Sequence, residues 1–88
     1  MRILIATDNT ICREGLQCLL EAMPKCQVIG ETGSGRDAVR LAREKSPDIV
    51  LMDVSLPELN GVDATRRITG GNSRTKVLGI AGDAENQV

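Results

Sequence analysis

The sequence predicts an α/β fold, a parallel sheet with helices on both faces, and three observations carry that expectation. Short apolar runs alternate with segments of helical period along the chain, the order that successive βαβ units require. The third run, IVLMD at residues 49–53, stays apolar up to its last residue, as a strand covered on both faces does. The segments between runs are punctuated by Asn, Ser, Gly and Pro, which cap helices and close turns.

Taken in order, residues 2–6, RILIA, form a first strand with β-branched Ile3 and Ile5, and Thr7-Asp8-Asn9 follows as a capping cluster. Ile11, Gly15, Leu16, Leu19, Leu20 and Met23 then lie near one stripe of an amphipathic helix that Pro24 stops. Residues 26–32, CQVIGET, are a second strand and Gly33-Ser34-Gly35 a turn. In the helix expected at 36–45, Ala38, Leu41 and Ala42 mark the inner face, with Arg36, Arg40, Arg43 and Glu44 mostly elsewhere, and Ser46-Pro47 ends it.

Residues 48–53 are the third strand. After a loop at 54–60, Val62, Thr65 and Ile68 repeat at helical spacing until Gly70-Gly71-Asn72-Ser73 breaks the segment. Residues 76–81 make a weaker fourth strand, weakened by Gly79, and residues 82–88 are compatible with the start of one more helix.

Composition narrows the function. With 88 residues the chain has room for one small domain. Forty-one per cent of residues are apolar and 26% charged, with 11 basic against 12 acidic side chains, so neither a general nucleic-acid binder nor a membrane-surface protein is implied. Phe, Tyr and Trp are absent, which removes the stacking platforms of single-stranded nucleic-acid modules. His is absent too, and with it the commonest general base and zinc ligand and any role as a phosphohistidine donor. Cys12, Cys18 and Cys26 match no zinc or thioredoxin spacing and are expected as small buried residues of a reduced, cytoplasmic protein. No apolar run reaches the length of a membrane span.

In an open α/β sheet the binding crevice lies beyond the carboxyl ends of the strands, where the strand order reverses. Asp8 just past the first strand and Asp53 at the end of the third are both there, and in a 2-1-3-4 sheet they belong to neighbours. Two converging carboxylates repel unless a cation joins them, and Mg²⁺ suits such a sparse oxygen set. The same arrangement makes one carboxylate a candidate phosphoryl acceptor. The plainer alternative is that Asp53 ends a strand and caps the following loop.

The segments MRILIATDNTICREGLQCLLEA and VIGETGSGRDAVRLAREKSPDIVLMDVSLPELNGVDATRRI closely resemble the receiver domain of bacterial two-component response regulators, in the branch with a C-terminal helix-turn-helix output domain. The resemblance implies a flavodoxin-like fold and phosphorelay signalling. Asp53 would be the phosphoacceptor, with Mg²⁺ held by Asp8, Asp53 and the backbone carbonyl of Ser55. Pro57 and Gly61 would shape the loop after the acceptor, and a histidine kinase would be the partner, meeting the region of Arg13-Glu14. The domain would not be an enzyme in its own right, with only weak self-phosphorylation or dephosphorylation.

Three departures from the family pattern stand out. Thr7 takes the place of the first of an acidic pair, Ala81 that of a hydroxyl residue, and the phosphate-pairing lysine of a fifth strand is missing, as are that strand and the last helix. The expectation for residues 1–88 is thus an incomplete receiver that self-associates, as a homodimer or otherwise, through the surface left open. The same departures keep open a second reading, an interaction module that no longer takes phosphate. A third remains in Gly33-Ser34-Gly35-Arg36-Asp37-Ala38, a G-x-G-x-x-A match 20 residues before Asp53, which is the spacing of a dinucleotide-binding turn and its ribose-binding acid. Arg66-Arg67 reads as a solvated helix face, GGNSRTK at 70–76 as a connecting loop, and no DNA-binding motif is present.

Overall fold

The computed structural model describes residues 1–56, 61–71 and 74–80. Its elements run β1 (Arg2–Ala6), α1 (Thr10–Glu21), β2 (Gln27–Thr32), α2 (Gly35–Lys45), β3 (Ile49–Asp53), α3 (Gly61–Gly71) and β4 (Lys76–Ile80). The four strands form a parallel sheet in the order β2-β1-β3-β4, the flavodoxin-like arrangement expected. Pro57, Asn60, Ala81 and the further helix expected at 82–88 lie outside the described residues.

Strand alternation sorts the core into two layers. Leu4, Ala6, Val50 and Met52 pack with Ala38, Val39 and Ala42 of α2 and with Ala64 and Ile68 of α3. Ile3, Ile5 and Leu51 face the other way, against Leu16 and Leu20 of α1 together with Cys26, Val28 and Ile49. β1 and β3 are the middle strands and contribute to both layers, which is why Ile3 to Ala6 and Ile49 to Met52 are unbroken apolar runs. Between β1 and β2 the register shifts after Ile3, so Gly30 comes opposite Leu4. A Cβ on Gly30 would stand 3.2 Å from Leu4 Cδ1, closer than an ordinary contact.

Helix ends follow their local chemistry. Asn9 caps α1 by accepting from Cys12 N at 2.9 Å, and Ser34 caps α2 by accepting from Asp37 N at 3.3 Å. In α2, Asp37 lies in the first turn and Arg43 and Lys45 in the last, complementing the helix dipole. Arg40 adds exposed pairs to Asp37 and Glu44. Ser46 ends α2 in the left-handed region at φ 46°. The next residue, Pro47, accepts from the buried Thr75 hydroxyl at 2.8 Å, tying the entry of β3 to that of β4.

Several expectations are corrected. α1 buries less than its apolar stripe suggests: Ile11 is 84% and Leu19 67% exposed, and only Leu16 and Leu20 reach the sheet. Cys18 is exposed and Cys12 half-buried, so of the three thiols only Cys26 packs on a core layer. Cys18 shares its stripe with Glu14 and Glu21, the polar side of α1. In α2 the buried apolar side chains are Ala38, Val39 and Ala42, with Leu41 only partly covered. In α3, Ala64 and Ile68 face inward while Val62 is exposed, and the helix continues through Gly70 and Gly71. Asp48 precedes β3, and its side chain accepts from Arg2 N at 2.7 Å.

Candidate functional site

β1 and β3 end side by side at the carboxyl rim. Their register pairs Ala6 with Met52; one step further along each chain come Thr7 and Asp53, which share a parity and therefore a face. The consequence is a direct contact: the Thr7 hydroxyl donates to Asp53 Oδ2 at 2.8 Å. Both residues are enclosed, Thr7 at 0% and Asp53 at 1% exposure.

Asp53 Oδ1 is held from the other side. It accepts from Ser55 N at 2.9 Å and from Ser55 Oγ at 2.7 Å. The bond to an amide two residues on is an Asx-type turn, so the loop-capping role is present alongside any chemical one. A carboxylate taken out of water must find donors, and these three are among those that replace its hydration.

Thr7 is fixed as firmly as the carboxylate it contacts. Its N–H donates to Thr32 O at 2.9 Å, its Oγ1 accepts from Asn9 N at 3.2 Å, and its carbonyl accepts from Arg13 Nη1 at 3.2 Å. Arg13 in turn lies 3.8 Å from Glu31 as an ion pair. Arg13, expected as part of a kinase-docking region, is thus also bonded into the wall of the site.

Of the residues predicted for the site, the structure brings Ser55 onto Asp53, through its amide and hydroxyl. Asp8 is on the same rim and exposed; a Cβ on Gly33 would stand 3.4 Å from Asp8 Cα and 3.5 Å from its Cβ, so Asp8 lies against the β2–α2 turn. The side chain meeting Asp53 from β1 is Thr7. Counting parity from Ile3 puts residue 7 on the face of Ile3 and Ile5, but only the β1–β3 register brings it to Asp53, and reading Thr7 as a lost charge hides its role as a donor. The Gly33-Ser34-Gly35 turn has a structural use: Ser34 caps α2, and Gly35 is buried at its first turn. Arg67 of α3 is exposed and borders a shallow groove with Arg36, Arg40 and Arg43 of α2. Among the described residues, no helix is long and apolar enough to cross a membrane.

A family model described as the response regulator receiver domain matches residues 3–88. The chain belongs to this family of receiver domains. This receiver is 41% identical over 78 residues to the transcriptional regulatory protein LiaR of Bacillus subtilis, covering 89% of this chain and 37% of that protein. It is 34% identical over 86 residues to the response regulator UvrY of Escherichia coli K12, covering 98% of this chain and 39% of that protein. The receiver therefore spans well under half of these curated relatives. Among solved structures, a LuxR-family two-component response regulator from Aurantimonas sp. SI85-9A1 superposes with a TM-score of 0.83 at 37% identity, over 98% of this chain and 64% of that one. The receiver is thus similar throughout to transcription-regulating members of two-component systems.

Proposed function

We propose that this receiver accepts a phosphoryl group on Asp53 from a partner histidine kinase and passes the change to a DNA-binding output domain in its parent protein. One observation carries the reading: a carboxylate at the end of the central strand β3, 1% exposed, has both oxygens oriented by donors from two separate segments. In the transfer, an Asp53 oxygen attacks phosphorus. The new O–P bond forms as the P–N bond to the kinase imidazole breaks, and the departing nitrogen keeps the electron pair and takes up a proton from water.

The donor set fits Mg²⁺. Asp53, the exposed Asp8 and the Ser55 carbonyl offer hard oxygens. Among the described residues no group of three His, Cys, Asp or Glu side chains is arranged as a metal cage, so water would complete the coordination, as is usual for this ion. Bound Mg²⁺ would neutralise charge on the phosphoryl oxygens during transfer. Ser55 keeps Oδ1 in place through two bonds, and the enclosed position of Asp53 limits water at the reacting oxygen.

A second reading is favoured by the Thr7 bond to Asp53, which occupies an acceptor oxygen and adds no negative charge for a cation: an interaction module that does not take phosphate. Incubation with acetyl phosphate and Mg²⁺, followed by intact-mass measurement, separates the two. An added phosphoryl group that is absent from Asp53→Asn supports the phosphoacceptor; no adduct at any Mg²⁺ concentration overturns it in favour of the module. Cytoplasmic residence, self-association and the absence of turnover chemistry of its own complete the proposed reading.

A further inference from the structure

We propose that Thr7 is a positioning residue whose hydroxyl proton latches the Asp53 carboxylate, and that this hydrogen bond competes with a cation for Oδ2. The inference rests on the reading of the Asp53 carboxylate as the reacting group. Its starting point is the direction of the bond. An ionised carboxylate only accepts, so Thr7 Oγ1 is the donor across the 2.8 Å contact. The Asn9 amide donates to the same hydroxyl oxygen at 3.2 Å, taking up a lone pair and leaving the hydroxyl proton to point at Oδ2.

The latch is preorganised. Thr7 is wholly buried, its N–H is bonded to Thr32 O and its carbonyl to Arg13, whose guanidinium is paired with Glu31. A β-branched side chain on so fixed a backbone has little freedom at χ1. Swinging Oγ1 itself away would give up its bond from Asn9 or move the chain.

The chemical effect has a definite sign. The hydroxyl proton takes the Oδ2 lone pair turned toward Thr7, so a divalent cation approaching on that side competes with it and one using the other lone pair meets a less basic oxygen. An acidic side chain at position 7 would add attraction for the cation, whereas this threonine adds a competitor. It holds Asp53 oriented while the site is bare and sets occupancy in competition with one buried bond. Oδ1, fastened by two Ser55 donors, is the oxygen that stays put while Oδ2 changes partners.

The test compares Mg²⁺ binding by isothermal titration calorimetry for the parent chain, Thr7→Val and Thr7→Ser, with thermal melts to verify folding. Thr7→Val keeps the shape and removes the proton; its Mg²⁺ affinity is expected to rise roughly threefold to tenfold, the range one net hydrogen bond covers. Thr7→Ser retains the donor and is expected to stay within about twofold of the parent. Equal or weaker binding by Thr7→Val overturns the latch, weaker binding meaning that the hydroxyl is itself a ligand. Should Thr7→Val not fold, the unmodified chain still decides: a protected Thr7 hydroxyl proton seen by NMR disappears on Mg²⁺ addition if the latch is displaced, and its persistence at saturation overturns the proposal. Acetyl phosphate labelling of the parent tells the two failures apart. A phosphoryl adduct on Asp53 with unchanged Mg²⁺ affinity in Thr7→Val defeats the latch alone; no adduct defeats the phosphoacceptor reading.

Discussion

Ser55 makes two bonds to one oxygen of Asp53, and the two are not equivalent. The amide bond survives any substitution except proline, while the hydroxyl bond at 2.7 Å depends on this side chain. Ser55→Ala leaves Oδ1 one donor short in an enclosed site. It is expected to lower stability by about 1.5–3 kcal/mol, the range of a lost hydrogen bond to a charged group, as measured by urea denaturation with an unchanged m-value. Combining it with Asp53→Asn is expected to differ from the sum of the two effects, because both act on the same contact. At this scale the sequence was only partly legible. That Asp53 ends a buried strand follows from IVLMD alone, and Ser55 follows from the family resemblance. The resemblance gives the Ser55 carbonyl to the metal, and the described bonds add its amide and hydroxyl as donors to Asp53. Thr7 as the cross-strand partner needs the register of β1 on β3, and register is a tertiary property that no local pattern states.

Among the elements, α2 has the clearest sequence signals, and its two ends can be tested in opposite directions. Ser34 accepts from Asp37 N at the start, so Ser34→Ala is expected to cost about 1 kcal/mol. Ser46 sits at φ 46° at the end, where an L side chain is strained and glycine is not. Ser46→Gly is therefore expected to stabilise by up to about 1 kcal/mol. For a chain of this size each change should appear as a melting shift of about 4–8 °C per kcal/mol, downward for the first and upward for the second. If Ser46→Gly lowers the melting temperature, the left-handed cap is not what limits the helix end. The contrast with α1 shows why some elements read more easily than others. α2 buries Ala38, Val39 and Ala42 against the middle of the sheet and shares that layer with α3, so its apolar positions are nearly all used. α1 has no described helix beside it and uses only Leu16 and Leu20. A stripe in a sequence records which residues are apolar, not how many of them a neighbouring layer covers.

Across the whole molecule the two faces of the sheet are covered unequally. Among the described residues, α2 and α3 lie on one face and α1 alone on the other. The β3–β4 register pairs Leu51 with Leu78, which puts Leu78 on the α1 face, and Leu78 is 58% exposed. Ile11 and Leu19 of α1 are exposed as well. Apolar side chains left on one face beside an edge strand favour contact with another copy. Self-association through this face is expected as a rise in sedimentation coefficient with concentration. Leu78→Lys places a charge on this exposed face without touching Asp53, Thr7 or Ser55, so it should return the chain to a monomer while leaving acetyl phosphate labelling unchanged. A monomer mass that stays constant over the accessible concentration range rejects association by this face. Loss of labelling in Leu78→Lys would mean instead that the open face and the phosphoacceptor end of β3 are coupled through the β3–β4 pair, whose last rung joins Asp53 to Ile80.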